Sequence, residues 1–137
     1  MNVLLAAFRA DHVHHARARP WLERTLKTGV RIIVPDLVWV GFLRLATNSH
    51  IFDVPATPAE AFEFVDAVCA APSYANVAGL GDGLAVFRDT ALDSDAWGNL
   101  IPDAYIAALA RAYASPVASF DRDFRRFDGL EIVVPDA

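Results

Sequence analysis

At 137 residues, 55% of them hydrophobic, the chain is long enough to bury a core unaided, yet no apolar run approaches the ~20 residues that cross a bilayer. A formal net charge of −5 argues against indiscriminate coating of nucleic acid, but leaves room for a nuclease in which local basic side chains and a divalent cation hold a phosphate. Cys69 is the single cysteine, so an internal disulfide is excluded and a reducing cytoplasm is the expected home; residues 1–8 lack the basic start and cleavage site of a secretory signal.

In chain order, residues 2–8 are apolar but too short to classify by periodicity. Asp11 is placed to cap a helix over about 12–28, interrupted or kinked at Pro20 and closed by Gly29. The β-branched run Val30 to Val34, ended by Pro35, predicts a strand. Asp36 opens a helix whose apolar face is read as Leu37, Trp39, Val40, Leu43 and Ala46. Thr57-Pro58-Ala59-Glu60 has capping-box spacing with proline at the first helical position, and that helix runs through Phe62, Val65 and Val68 to Pro72. A short strand over 74–78 follows, then a break at Gly79 and Gly81, then a helix over roughly 83–95. Asp103 to Ala114 is predicted helical, Val117 to Phe120 a strand, Phe124 to Phe127 a short helical turn and Glu131 to Val134 a last strand. No repeat, low-complexity tract or long linker divides the chain, so one three-layer α/β domain over 1–137 with a small, mostly parallel sheet is expected.

The chemistry concentrates near the C-terminus. Asp103 lies on the first turn of an apolar helix, and the next strand runs out onto Asp121 and Asp123. In a parallel α/β sheet those strand ends and helix starts share the edge where ligands bind. Carboxylates gathered there are costly to desolvate unless water, a partner or a metal satisfies them. Plainer accounts exist for each. Asp103 after Pro102 also suits an ordinary helix start, and Asp121 also suits a cap with Asp123 in the following turn, the better account of Asp123. His12, His14 and His15 lack the spacing of a metal site, and Asp89, Asp93 and Asp95 lack the glycine and closing glutamate of a calcium loop; both groups read as solvated surface. Arg122, Arg125 and Arg126 flank the acids and either meet RNA phosphates or balance nearby carboxylates as surface charges, the first reading being preferred because they flank the site. Trp39, Phe42 and Phe62 read as core or interface, and Cys69 as buried and inert.

Together these segments resemble the PIN-domain ribonuclease toxins of the VapC family, over nearly the whole chain. Asn2-Val3-Leu4-Leu5-Ala6-Ala7-Phe8, with Asp11, His14 and His15, resembles the family's D-x-N-V-L-L opening and the histidine-containing turn after it. Val34-Pro35-Asp36-Leu37-Val38-Trp39 with Phe42-Leu43-Arg44-Leu45-Ala46-Thr47-Asn48 resembles its second, strand-to-helix motif, and the segments around Asp103 and Asp121 resemble its third and fourth acidic motifs. The resemblance implies an endoribonuclease dependent on Mg²⁺, with Mn²⁺ as a substitute, acting as the toxin of a toxin–antitoxin pair. It makes Asp103 and Asp121 catalytic metal ligands and Asp123 an outer or alternative one. Ser119 and Asn2 are supporting groups. The partners it implies are RNA, a VapB-type antitoxin and a second copy of the chain.

Two departures accompany the resemblance. The family's first acid stands two residues before the motif asparagine, which puts it ahead of Met1 together with the central strand that carries it; the expectation is a chain begun at an internal codon. Gly41 stands where the family has glutamate, leaving a ligand set that would hold Mg²⁺ weakly. The alternative function is therefore a catalytically impaired PIN-like protein that still binds an antitoxin. A phosphate-accepting receiver domain is disfavoured, because its chemistry wants a late lysine and Lys27 is the only one.

Overall fold

The computed structural model describes residues 2–75, 77, 81 and 84–136. They fall into two compact units, residues 1–77 with 135–137, and residues 78–134.

In the first unit the opening apolar run is a helix, α1 (Asn2–Phe8), in which Val3, Leu4, Leu5, Ala6 and Ala7 are all buried. A helix buried on every face shows no amphipathic period, which is why its sequence alone was ambiguous. α2 spans His15–Lys27 and has no side-chain cap. The expected cap, Asp11, is engaged elsewhere: the Arg9 guanidinium donates to its two oxygens at 2.9 and 2.6 Å. The turn is instead closed by His14 N–H donating to His12 Nδ1 at 3.0 Å and by a 2.9 Å bond between His15 Nδ1 and the Ala6 carbonyl. Pro20 lies inside α2 without ending it. Gly29, at φ 76, takes the left-handed conformation that turns the chain after the helix.

Strand β1 (Ile32–Ile33) pairs in parallel with β2 (Tyr74–Ala75), Ile32 opposite Tyr74. Between them lie α3 (Asp36–Ala46) and α4 (Pro58–Cys69). The expected apolar face of α3 is rotated: Val38, Trp39, Gly41, Phe42 and Ala46 are buried, while Leu37 and Val40 face solvent. Apolar residues ring this helix almost completely, so spacing alone does not choose the inward side. α4 starts as predicted, with Thr57 Oγ1 accepting the Glu60 N–H at 3.2 Å, and ends at Cys69, short of Pro72. Its inward face is Ala61, Val65 and Val68. Cys69 is exposed, against expectation, because one residue past Val68 turns about 100° away from the core. Phe62 is exposed too. Phe8, Trp39, Phe42 and Phe64 form the aromatic centre, with ring centroids 5.3 to 6.5 Å apart.

The second unit holds α5 (Leu84–Asp93), α6 (Leu100–Ala112), β3 (Val117–Ala118), a 3-10 helix (Arg122–Arg126) and β4 (Ile132–Val133). β3 and β4 are parallel, Val117 opposite Ile132. α6 starts three residues before Asp103, its first N–H groups donating from Leu100 to the Trp97 carbonyl and from Ile101 to that of Gly98, each at 3.0 Å. Pro102 fits within this first turn, where a missing N–H costs nothing. Ala104, Ala107 and Ala110 give α6 a flat inward face on which Val117, Phe124 and Phe127 pack. Every described strand is only two residues long, shorter than its apolar run. The expected break at Gly79 and part of the strand over 74–78 lie outside the described residues. The helices and short parallel strands form the expected α/β fold.

The aromatic centre gives a stability test. Phe42→Ala is expected to cost about 3–5 kcal/mol in urea unfolding, since Phe42 is fully buried against three rings. Phe62→Ala, on the exposed side of α4, is expected to cost less than about 1 kcal/mol. Equal losses at the two positions would contradict this assignment of the core.

Candidate functional site

The site is built where β3 ends and α6 begins. After α6 the chain reverses through Ala114, at φ 49, and enters β3. The last ladder bond runs from Ser119 N–H to the Val133 carbonyl at 3.0 Å. Beyond it the chain is held by side chains. Buried Ser119 accepts the Asp121 N–H on its Oγ at 2.9 Å, and Asp121 Oδ1 accepts the Asp123 N–H at 2.9 Å, which starts the 3-10 helix. Phe124 then anchors that helix on Ala104 and Ala107 of α6.

This packing brings the 3-10 helix against the turn that carries Asp103. Asp103 is half-buried, and its carboxyl is pushed up to about 6 from the usual 3.8, by burial first and then by the charges of Asp121 and Asp123. The positive end of a helix favours a carboxylate, and here that effect is outweighed. The three acids predicted from sequence therefore act on one another. Asp121 is at once the helix cap of the plain reading and the charged neighbour of the functional one.

Arg122, Arg125 and Arg126 are exposed on the 3-10 helix directly after Asp121, and among the described residues they form no salt bridge. Asn2 opens α1 in the first unit, half-buried, and Gly41 is buried in α3. Among the described residues no three of His, Cys, Asp and Glu gather closely enough to hold a metal ion. Of the acids read from sequence, Asp103 is the one raised, by burial and then by the charges of Asp121 and Asp123. A hard, hydrated divalent cation would relieve such a carboxyl, with water completing the coordination.

Two features escaped the sequence reading. Arg9 holds Asp11, donates to the Val54 carbonyl at 2.9 Å and lies 4.1 Å over the Phe52 ring, beside an open cleft of about 390 Å³ lined by Phe8, Arg9, Ala10, Asp11, Ala56 and Glu60. Its guanidinium holds the Asp11 carboxyl below the ordinary range, whereas His12 is lowered chiefly by burial. Only the Arg9–Asp11 spacing was visible in sequence, since Val54 lies 45 residues away. The second feature is Trp97 at the head of α6, whose indole N–H donates to Asp95 Oδ1 at 2.9 Å. Nothing in a lone tryptophan beside a glycine announces that arrangement.

The PIN domain family model matches residues 1–130. The chain is 46% identical over 134 residues to Ribonuclease VapC31 of Mycobacterium tuberculosis, covering 98% of this chain and 94% of that protein. It is 44% identical over 135 residues to Ribonuclease VapC25 of the same organism, covering 98% and 95%, and 30% identical over 136 residues to its Ribonuclease VapC48, covering 98% and 94%. With its short parallel strands, its helices and this near full-length similarity, the chain belongs to the PIN-domain family, among the VapC toxins.

Proposed function

We infer that this chain is an endoribonuclease that cleaves RNA phosphodiester bonds with the help of Mg²⁺ or Mn²⁺, as the toxin of a toxin–antitoxin pair. The observation that carries the reading is half-buried Asp103, its carboxyl raised by burial and then by the charges of Asp121 and Asp123, in a chain whose relatives at 44 and 46% identity are named ribonucleases. Those names favour an active enzyme over the impaired alternative. A VapB-type antitoxin, a homodimer, a cytoplasmic setting and a single functional domain complete the proposal.

Asp103 and Asp121 would hold the cation, with Asp123 outside them. When bound, a divalent ion supplies Lewis acidity toward the phosphate and lowers the pKa of a coordinated water. The chain's own residues do the positioning. Ser119 and the Asp123 N–H fix the direction in which Asp121 leaves the strand. Arg122, Arg125 and Arg126 offer exposed guanidinium groups to flanking phosphates, which orients RNA without reading its bases. Asn2 is a supporting group for the motif that opens the chain. Asp103 must lose its proton before it can serve, so activity is expected to rise with pH through about 6.

Asp103→Asn is expected to abolish Mg²⁺-dependent cleavage of total RNA and growth inhibition while leaving antitoxin binding intact. Undiminished cleavage by that variant would refute the site. A second prediction follows from linkage. The folded pKa of Asp103 lies above its unfolded value, so the folded state binds more protons between about pH 4 and 6. Metal-free protein should therefore lose stability as pH rises through that window. At pH 7, Asp103→Asn should be more stable by about 1 kcal/mol in EDTA, the full shift being reduced by solvent screening at a half-exposed group. Added Mg²⁺ should stabilise the parent but not the variant. Urea unfolding at several pH values, with EDTA and with Mg²⁺, checks both signs.

A further inference from the structure

Trp97 is 77% exposed, the largest side chain that the described residues of the second unit leave in solvent, yet its ring is not free to wander. The indole N–H is held by Asp95 Oδ1 at 2.9 Å. Asp95 itself stands at φ 51 and Gly98 at φ 54, so two left-handed residues bracket the tryptophan on a tight bend. That bend is tied at both ends. Asp95 and Ala96 N–H groups donate back to the Leu92 and Ala91 carbonyls of α5 at 3.2 and 2.9 Å. The Trp97 and Gly98 carbonyls accept the first two N–H groups of α6, each at 3.0 Å.

A single exposed apolar side chain needs no explanation. One whose polar atom is satisfied within its own loop, on a backbone fixed by two helices, is different, because its ring stays oriented with its surface in water. The same bend starts the helix whose first turn carries Asp103. Just after Asp121 come three exposed arginines, suited to a phosphate backbone. Unpaired RNA bases are bound by stacking on such aromatic faces, while guanidinium groups hold the strand.

We propose that Trp97 is the base-stacking platform of the RNA site, taking one unpaired base next to the phosphate presented to Asp103 and Asp121. The proposal rests on the RNA-cleaving reading above and deepens it. A base inside a duplex has no free face to offer, so this ring takes only an unpaired one. Stacking tolerates any base, so Trp97 selects for an unpaired nucleotide rather than for a sequence. The Asp95 bond sets the ring in place before RNA arrives, which spares the entropy of ordering it on binding.

The test uses the full chain carrying Asp103→Asn, titrated with a short single-stranded RNA of mixed sequence, with the same RNA annealed to its complement, and with a copy containing abasic positions. Binding is followed by anisotropy of labelled RNA and by tryptophan emission. Trp39 is buried and Trp21 half-buried, so Trp97 is the indole open to quenching. The parent's emission should fall on binding single-stranded RNA, and that fall should vanish in Trp97→Phe and with abasic RNA. Trp97→Ala should bind about tenfold more weakly, Trp97→Phe within about threefold of the parent, and the duplex about as weakly as Trp97→Ala binds the single strand. All variants should melt within a degree or so of the parent, since the ring is exposed. Unchanged RNA affinity in Trp97→Ala would overturn the proposal while the nuclease reading stands, and so would loss confined to antitoxin binding. An equal loss in Trp97→Phe and Trp97→Ala would show that the indole N–H matters and stacking does not. No binding of RNA by the parent, with no cleavage by the wild-type chain, would bring down both readings.

Discussion

The second unit depends on the alanine face of α6 packing with Phe124 and Phe127, which sets Asp103 within electrostatic reach of Asp121 and Asp123. Asp103 is fixed to the first turn of a helix whose alanines are pinned under Phe124. Asp121 is fixed by its own N–H to Ser119 and by its Oδ1 to Asp123. A pair of surface acids would swing apart and let water screen them. Here burial raises the Asp103 carboxyl first, and the charges of Asp121 and Asp123 add to it, bringing it to about 6. The alanine face matters for the same reason, because larger side chains at Ala104 and Ala107 would push Phe124, and the acids with it, away from α6. Folding therefore carries an electrostatic cost at Asp103.

That cost also separates charge in general from charge in place. A chain of net charge −5 has no overall attraction for RNA. What it has is a short helix with three exposed arginines following directly on the acids. Charges within a Debye length of roughly 8 Å at physiological salt are felt by a bound phosphate, and the rest of the surface largely is not. The local arrangement decides, and net charge constrains only long-range steering and nonspecific association.

Much of this was legible in the sequence wherever the signal was local. The cap at Thr57, the turn at Gly29, the strand at Val117 and the cap at Asp121 are each set by residues a few positions apart, and each formed. Misreadings came where a local signal met a competitor. Asp11 had the right position to cap α2, but Arg9, two residues before it, offers a bidentate pair. α1 and α3 are apolar on nearly all sides, so periodicity could not identify α1 or orient α3. Asp103 looks like the beginning of a helix, whereas the first turn of α6 is already wound on the carbonyls of Trp97 and Gly98. The role of Trp97 was invisible for a different reason: it depends on a side-chain bond and two left-handed residues, which composition does not encode.

Asp121 shows why the structural and functional readings of an acid need not compete. As a cap, it accepts the Asp123 N–H through one oxygen, and that bond stops the carboxylate from rotating. A carboxylate held in one orientation loses less entropy when a partner arrives. Removing the cap would therefore free the carboxylate as well as fray the helix. The same holds for Ser119, whose buried hydroxyl sets the direction in which Asp121 emerges. In a fold with two-residue strands, hydrogen bonds of this kind take over from the ladder the task of holding the site in register. Without them Asp121 would be free to move off Asp103, and its share in raising that carboxyl would fall away, leaving burial as the main cause.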